Sequence, residues 1–450
     1  AEVNMVKTLV LVRHGVSERG SEDMSRELTR AGQRALSANY PHIFGLLGPE
    51  GEEAEIWTSP ALRALETAEI VAEALDAEGL EIHDSLYDQD LPALQAELEH
   101  ADAETLILVG HAPFLGYVAE TLLGFELPLT KGAVCAIDVR GSLCHQHKCV
   151  WKQLGDVREP HGKLLWLVSG PSTQPWETLD ALDEACAHAA TNLEDAYTEF
   201  RTHPEDPAVI AAFRFALRGT QLLTKFFSPL LNEEAVEIAE PVYRLMLGAT
   251  TRLREIDGFA DTVADLMESG ELSQGSKLVS AVEAAREVER DRVCEGLRKK
   301  AVRRSLRCAL DELFEPAWSD AVLRDGISFE DISSRFDYML ETIDARLFGL
   351  DMTSFSEVHH ARREVREVEH ILFHLSDMLG EKRANYTQIM QDIDSELSAV
   401  CTAQRNISLV KEWKDSTDFR DVTSDLAIVS EHEKVLIERV IEGRETSILR

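Results

Sequence analysis

The sequence predicts two folds in tandem, a mostly parallel sheet flanked by helices (α/β) and then an all-α bundle. Three observations predict this. Up to about residue 170, short apolar runs of strand length alternate with runs whose apolar positions recur at helical spacing. The stretch 169–175 (SGPSTQP) is rich in Ser, Gly and Pro and reads as a break between domains. Beyond it the pattern is helical, in long, charged, amphipathic runs with Gly and Pro placed between them. The expected organisation is a first domain at 1–170, a linker at 171–175 and a helical domain at 176–450.

Strands are expected at 8–12 (TLVLV), 55–58, 105–109 (TLILV), 133–139 and 163–168 (KLLWLV). Continuous apolar runs such as TLILV suit strands buried on both faces of a parallel sheet. The intervening helices are expected at 29–44, 60–77 and 114–123. In the second half they are expected at 176–201, 207–227, 233–267, 276–314, 331–348, 356–379 and 387–407. Two stretches of that half echo each other, 213–218 (FRFALR) and 359–366 (HHARREVR). Each places Arg on one helix face, which points to an internal duplication.

Composition bounds the function. The chain has 450 residues, 44% hydrophobic and 28% charged, as in a globular protein of two or three domains. Acidic residues number 81 against 46 basic, a net charge of −35. Both halves share it, −14 in residues 1–170 and −21 in the rest. That argues against a nucleic-acid binder or a partner at an anionic membrane surface. Seven scattered cysteines read as reduced thiols. The first apolar run is too short for a signal core, and no stretch reaches the roughly 20 apolar residues of a membrane span. The expected location is cytoplasmic.

The chemistry-bearing residues follow the predicted strands. Arg13-His14-Gly15 ends the first, where α/β sheets bind ligands, with Gly15 expected to serve a tight turn. Ser59-Pro60-Ala61-Leu62-Arg63 follows the second, with Thr67 one turn further on. Gly110-His111 follows TLILV. Two Arg and two His at one sheet edge suit a phosphate: guanidinium forks match its oxygens, one imidazole attacks phosphorus, and the other donates. Ser17 is a further candidate donor. A general acid is sought near Leu86-Tyr87-Asp88, with Asp88 the candidate and Asp84 and Asp90 its rivals.

The strings LVRHG, TSPALRALETAEIV and LVGHAPFLGYVAETLLG, with SRELT before the first helix, resemble the histidine phosphatase superfamily, in particular the compact SixA-type phosphohistidine phosphatases. The resemblance covers about residues 5–170. It implies a phosphoglycerate-mutase-like sandwich and a catalytic His14 that is transiently phosphorylated. Arg13, Arg63 and His111 would hold the phosphoryl group, with no metal or other cofactor. The substrate would be a phosphorylated protein, above all a phosphohistidine, or a small phosphorylated anion. A backbone carbonyl bonded to one ring nitrogen would fix the His14 tautomer.

The helical half, about 176–445, resembles the CHAD (conserved histidine α-helical) domain, a duplicated bundle that binds polyphosphate or other polyanions. His359, Arg362 and Arg366 match its His-x-x-Arg helix in the second repeat. Arg214 and Arg218 match the first repeat, where Ala211 stands at the histidine position, and Leu253-Arg254-Glu255-Ile256-Asp257 resembles an altered Arg-Asp segment. The implied role is recruitment of a polyanion such as polyphosphate. The alternatives are a non-catalytic phosphate sensor and a phosphatase with a purely scaffolding helical half. A second basic stretch, 298–307 (RKKAVRRSLR), reads equally as an anion-binding face or a solvated one. The dense run 144–149 (CHQHKC) fits no zinc spacing and is expected in a polar hairpin. His188, His203, His370 and His374 are expected at surface or packing positions.

Overall fold

The computed structural model describes residues 6–20, 22–51, 53–101, 103–139 and 162–448. The 144–149 hairpin lies outside them. Two compact units divide the chain: residues up to 180 with Leu323–Ser328, and Ala181–Val322 with residues from 329 onward.

The first unit is built on β1 (Thr8–Arg13), β2 (Glu55–Thr58), β3 (Glu81–Ile82), β4 (Thr105–Gly110), β5 (Val134–Asp138) and β6 (Lys163–Val168), ordered β3-β2-β4-β1-β5-β6. The first four are parallel, and β5 and β6 run antiparallel to their neighbours. TLILV and TLVLV take the central places, where both faces are covered: β4 is buried throughout, and β1 up to its last residue. Successive side chains point to opposite faces. Leu9 and Leu11 therefore join one core with Leu106 and Leu108, and Val10 and Val12 join the other with Ile107 and Val109.

Among the described residues, five α-helices accompany the sheet: α1 (Arg30–Phe44), α2 (Leu62–Leu75), α3 (Asp84–Asp88), α4 (Leu91–Leu98) and α5 (Phe114–Leu123). Thr29 caps α1 by accepting from the Gly32 amide at 2.9 Å, an interaction worth about 1 kcal/mol.

In the second part of the chain the helices are α6 (Gln174–Thr202), α7 (Pro207–Phe227), α8 (Glu233–Ala249), α9 (Thr251–Ser269), α10 (Leu278–Leu297), α11 (Lys300–Phe314), α12 (Asp320–Asp325), α13 (Phe329–Phe348), α14 (Phe355–Leu379), α15 (Glu381–Ala384), α16 (Tyr386–Lys414) and α17 (Thr423–Ile448). Two runs expected to be continuous are broken. The run 233–267 divides at Thr250, and 276–314 divides at Arg298 and Lys299. The echoing helices α7 and α14 pack against each other. Their close approach is at Gly219, where a Cβ would lie 2.6 Å from His374 Nε2. Elsewhere in this unit Trp413 stacks on Phe419 at 4.2 Å and meets Phe259 edge-on.

Candidate phosphoryl site and anion cavity

Strand register brings the first site together. Val12 and Thr58 both lie level with Val109, and Arg13 lies level with Gly110, so β1, β2 and β4 end side by side. The ladder continues one residue further, with His14 N donating to Gly110 O and Ser59 N to Val109 O, each at 3.0 Å. These bonds hold His14 and the start of the β2–α2 turn, while His111 follows β4 directly.

His14 is buried, and its Nδ1 lies 2.8 Å from Gly15 O. A carbonyl only accepts, so Nδ1 carries the proton and Nε2 keeps its lone pair. Arg63 Nε points at that nitrogen from 3.4 Å. Arg63 Nη2 also donates to His111 Nδ1 at 3.2 Å, so His111 carries its proton on Nε2 and donates to Ser59 Oγ at 2.8 Å. The two imidazole centroids are 5.1 Å apart. Burial first, and the neighbouring cations after it, push His14 down to about 3 and His111 down to about 4. Both rings are neutral near pH 7, as a nucleophile must be.

Thr67 Oγ1 accepts from the Gly15 amide at 3.2 Å and donates to Arg63 O at 2.7 Å, tying the His14 loop to α2. Gly15 does not adopt a positive φ. What it supplies is space, since a Cβ there would lie 2.7 Å from Leu36 Cδ1.

His14, Arg63 and His111 are thus in direct contact. Arg13 is anchored at the edge of the cluster by donating to Leu129 O at 2.8 Å, and its Nε is buried without a partner. Ser17 is half-buried, bridged by its backbone to Leu28. Asp88 ends α3 exposed to solvent, with no described contact to the cluster. Asp84 is exposed as well, and Asp90 caps α4 through the Ala93 amide. The segment instead contributes Tyr87, whose ring meets His111 edge-on at 5.9 Å. One residue the motifs did not single out completes the site. Asp23 is paired with Arg63 at 2.9 Å and also with Arg26, and it accepts from the Tyr87 hydroxyl at 3.3 Å.

The second unit contains a cavity of about 320 Å³ between α7, α14 and their neighbours. Arg214, Arg218, His359, Arg362 and Arg366, dispersed in sequence, all line it. Arg254, Arg363 and Arg405 join them, and Glu367 is the carboxylate on its wall. Three of these cations are held by neutral groups. Arg214 Nη1 donates to Leu247 O at 2.7 Å and to Thr250 Oγ1, Arg218 Nη1 to Gln221 Oε1 at 2.8 Å, and Arg405 Nε to Cys401 O at 3.0 Å. Arg362 pairs with Asp394 at 2.9 Å, and Glu367 faces Lys225 at 3.0 Å.

Arg254 Nε and Arg405 Nη2 are buried with no partner. Burial pushes Arg214 down to about 10 and also lowers Arg218, Arg366, Arg405 and His359. Clustered cations with so few carboxylates are costly unless an anion completes them. Ala211 lines the same cavity. His370 is fully buried against Phe215 at 4.5 Å, with both ring nitrogens unpaired. The 298–307 stretch lies elsewhere, with Lys300, Arg303, Arg304 and Arg307 exposed on α11.

The family model for the histidine phosphatase superfamily (branch 1) matches residues 9–105, and that for the CHAD domain matches residues 180–402. The chain joins a histidine phosphatase domain to a CHAD domain. Among solved structures, the protein histidine phosphatase SixA complexed with tungstate is similar at 20% identity, covering 36% of this chain and 97% of that one, with a TM-score of 0.30. A mycobacterial glucosyl-3-phosphoglycerate phosphatase is similar at 17% identity, covering 37% and 99%, with a TM-score of 0.26. The CHAD domain from the plant Ricinus communis is similar at 11% identity, covering 59% and 90%, with a TM-score of 0.48. No curated protein matches the chain.

In the histidine phosphatase domain, sequence reasoning missed the Asp23 contact and the His111–Ser59 bond. In the CHAD domain it missed Arg405, which no local motif marks. Among the described residues no helix is long and apolar enough to cross a membrane, and no cluster of metal-ligating side chains occurs. Cys135, Cys186, Cys294, Cys308 and Cys401 are free thiols.

Proposed function

We propose that the histidine phosphatase domain hydrolyses phosphoryl groups through a phosphohistidine formed on Nε2 of His14. The observation that carries this reading is the fixed tautomer, a neutral buried imidazole whose lone pair faces the Arg63 guanidinium. An entering phosphoryl group would take that guanidinium and the outer donors of Arg13, with Ser17 at the rim. Its phosphorus would meet Nε2, and His111 would stabilise the oxygens once its proton shifts from Ser59 to the phosphoryl side. Water then attacks the phosphohistidine and frees His14. Catalysis in this scheme is covalent, with charge neutralisation by Arg13 and Arg63 as the main electrostatic contribution. The substrate class is a phosphohistidine on a protein or a small phosphorylated anion.

The CHAD domain, in the same reading, holds a polyanion such as polyphosphate in the arginine cavity through Arg214, Arg218, His359, Arg362 and Arg366. The support is the collection of guanidinium groups that carbonyls position and few carboxylates neutralise.

Phosphate release by the full-length protein from a phosphohistidine protein and from an aryl phosphate, with His14→Ala as control, tests the first half. Release that vanishes in the variant is expected. No release, with phosphate still bound, would make the domain a sensor. Calorimetric titration of the full-length protein with polyphosphate tests the second half. A salt-sensitive heat is expected, and its absence would leave the CHAD domain a scaffold.

A further inference from the structure

Arg63 has four of its five N–H groups engaged. Nε faces His14, Nη2 serves both His111 and Asp23 Oδ2, and Nη1 donates to the main-chain carbonyl of Asp23. A carboxylate and a carbonyl on a guanidinium fork take the places that phosphoryl oxygens need. Asp23 is also the outermost member of the site. Its side chain is 49% exposed, whereas that of Arg63 is 5% exposed and His14 lies on the buried floor. Arg26 and the Tyr87 hydroxyl hold the same carboxylate from its other sides. Displacement at phosphorus runs in line, with nucleophile and leaving group on opposite sides. A phosphoryl group attacked from the floor therefore sends its leaving group towards the mouth, where Asp23 is held.

We propose that Asp23 is the general acid–base of this site, parked on Arg63 until the substrate's phosphoryl oxygens displace it. The inference rests on the phosphatase reading. The bond from His14 Nε2 to phosphorus forms as the phosphorus–oxygen bond to the leaving group breaks. The departing electron pair takes the proton of the Asp23 carboxyl. Water then attacks phosphorus and gives its proton to the Asp23 carboxylate, the phosphorus–nitrogen bond breaks, and Nε2 recovers its lone pair. Contact with Arg63 holds the Asp23 carboxyl below its ordinary value in the free protein. When a phosphoryl group takes Arg63, that cause is removed and an anionic neighbour favours the protonated form. Arg26 and Tyr87 keep the side chain at the mouth meanwhile.

The test compares full-length wild type with Asp23→Asn, and with Asp23→Ser as a second variant, circular dichroism checking the fold. Turnover is measured on phosphate monoesters of graded leaving-group basicity, and inorganic phosphate binding by calorimetry. The expected kcat loss for an alkyl phosphate is about 100-fold or more, with a far smaller loss for 4-nitrophenyl phosphate. The dependence on leaving-group pKa steepens, and phosphate binds more tightly because its internal competitor is gone. Parallel leaving-group dependences in wild type and both variants would overturn the acid–base role. Unchanged phosphate affinity would overturn the parking contact. If wild type turns over no monoester and no phosphohistidine, the phosphatase reading itself falls and takes the acid–base role with it, while the phosphate titration still decides the parking contact.

Discussion

The two arginine-rich sites differ in how their cations are occupied. In the histidine phosphatase domain Arg63 has four of its five N–H groups engaged, by two imidazoles and by Asp23. In the CHAD domain Arg254, Arg363 and Arg366 make no ion pair with a described residue, and Arg214 and Arg405 rest on carbonyls. The first arrangement spends its charge on geometry, fixing tautomers and aiming one nitrogen. The second leaves its charge available. Chemistry on a phosphoryl group calls for the former, and capture of a flexible polyanion calls for the latter.

Four experiments break or sharpen this contrast. The largest expected effect is that of His14→Ala, which should lower phosphate release by at least about 1000-fold, since it deletes the proposed nucleophilic nitrogen. Activity within tenfold of wild type would place the nucleophile elsewhere. Arg63→Ala should cost about 100- to 1000-fold in kcat, the range for one donor to a developing oxyanion. Its loss also frees Asp23, so a rise in KM without a fall in kcat would show that Arg63 only binds.

In the CHAD domain, Arg218→Gln combined with Arg366→Gln should weaken polyphosphate binding and flatten its salt dependence. The slope of log K against log salt should drop by about one per arginine removed, as expected for charges that displace counterions. An unchanged slope would mean that the anion sits outside this cavity.

The smallest effect concerns acid. His14 and His370 are pushed down to about 3, and His111 and His374 to about 4, in every case chiefly by burial. The unfolded chain binds these protons near 6.5, so it holds more of them than the native state between about 6.5 and 3. Stability contributed by the neutral rings is complete above 6.5 and is lost as pH falls through that window. Denaturant midpoints at pH 7.5 and 5 check this. His370→Leu should reduce the acid loss, because it removes two nitrogens that have no partner. An identical acid loss in that variant would assign the sensitivity to other groups.

Much of this was legible in the sequence because it lies at strand ends. LVRHG and LVGH each attach a histidine to a run whose burial fixes its register, so knowing the strands is nearly enough to place the imidazoles. Arg63 was legible for the same reason, one short turn beyond β2. Asp23 was not. It is one of several acids between residues 18 and 27, and what selects it is a main-chain bond, Leu62 N to Met24 O at 2.9 Å, that draws the loop over α2. Asp88, chosen by its position beside Leu86, lies on the solvent side of its short helix.

The arginines on α7 and α14 declared themselves by helical spacing. Arg405 needed α16 to pack against α14, a contact no local pattern announces. The break at Thr250 was equally silent, since Thr-Thr within a helical run is no stop signal. Its consequence is specific: it ends α8 so that Leu247 O and Thr250 Oγ1 receive Arg214, a cation at a helix C-terminus.

The shortage of counterions in the CHAD cavity reaches beyond recognition. An anion that binds the folded bundle and not the open chain adds RT ln(1 + [L]/Kd) to its stability. A polyanion seated in the proposed cavity would also relieve repulsion already present among the guanidinium groups. It would then work as a missing piece of the core, and the lifetime of the bundle against a protease would become a gauge of how much polyanion surrounds it.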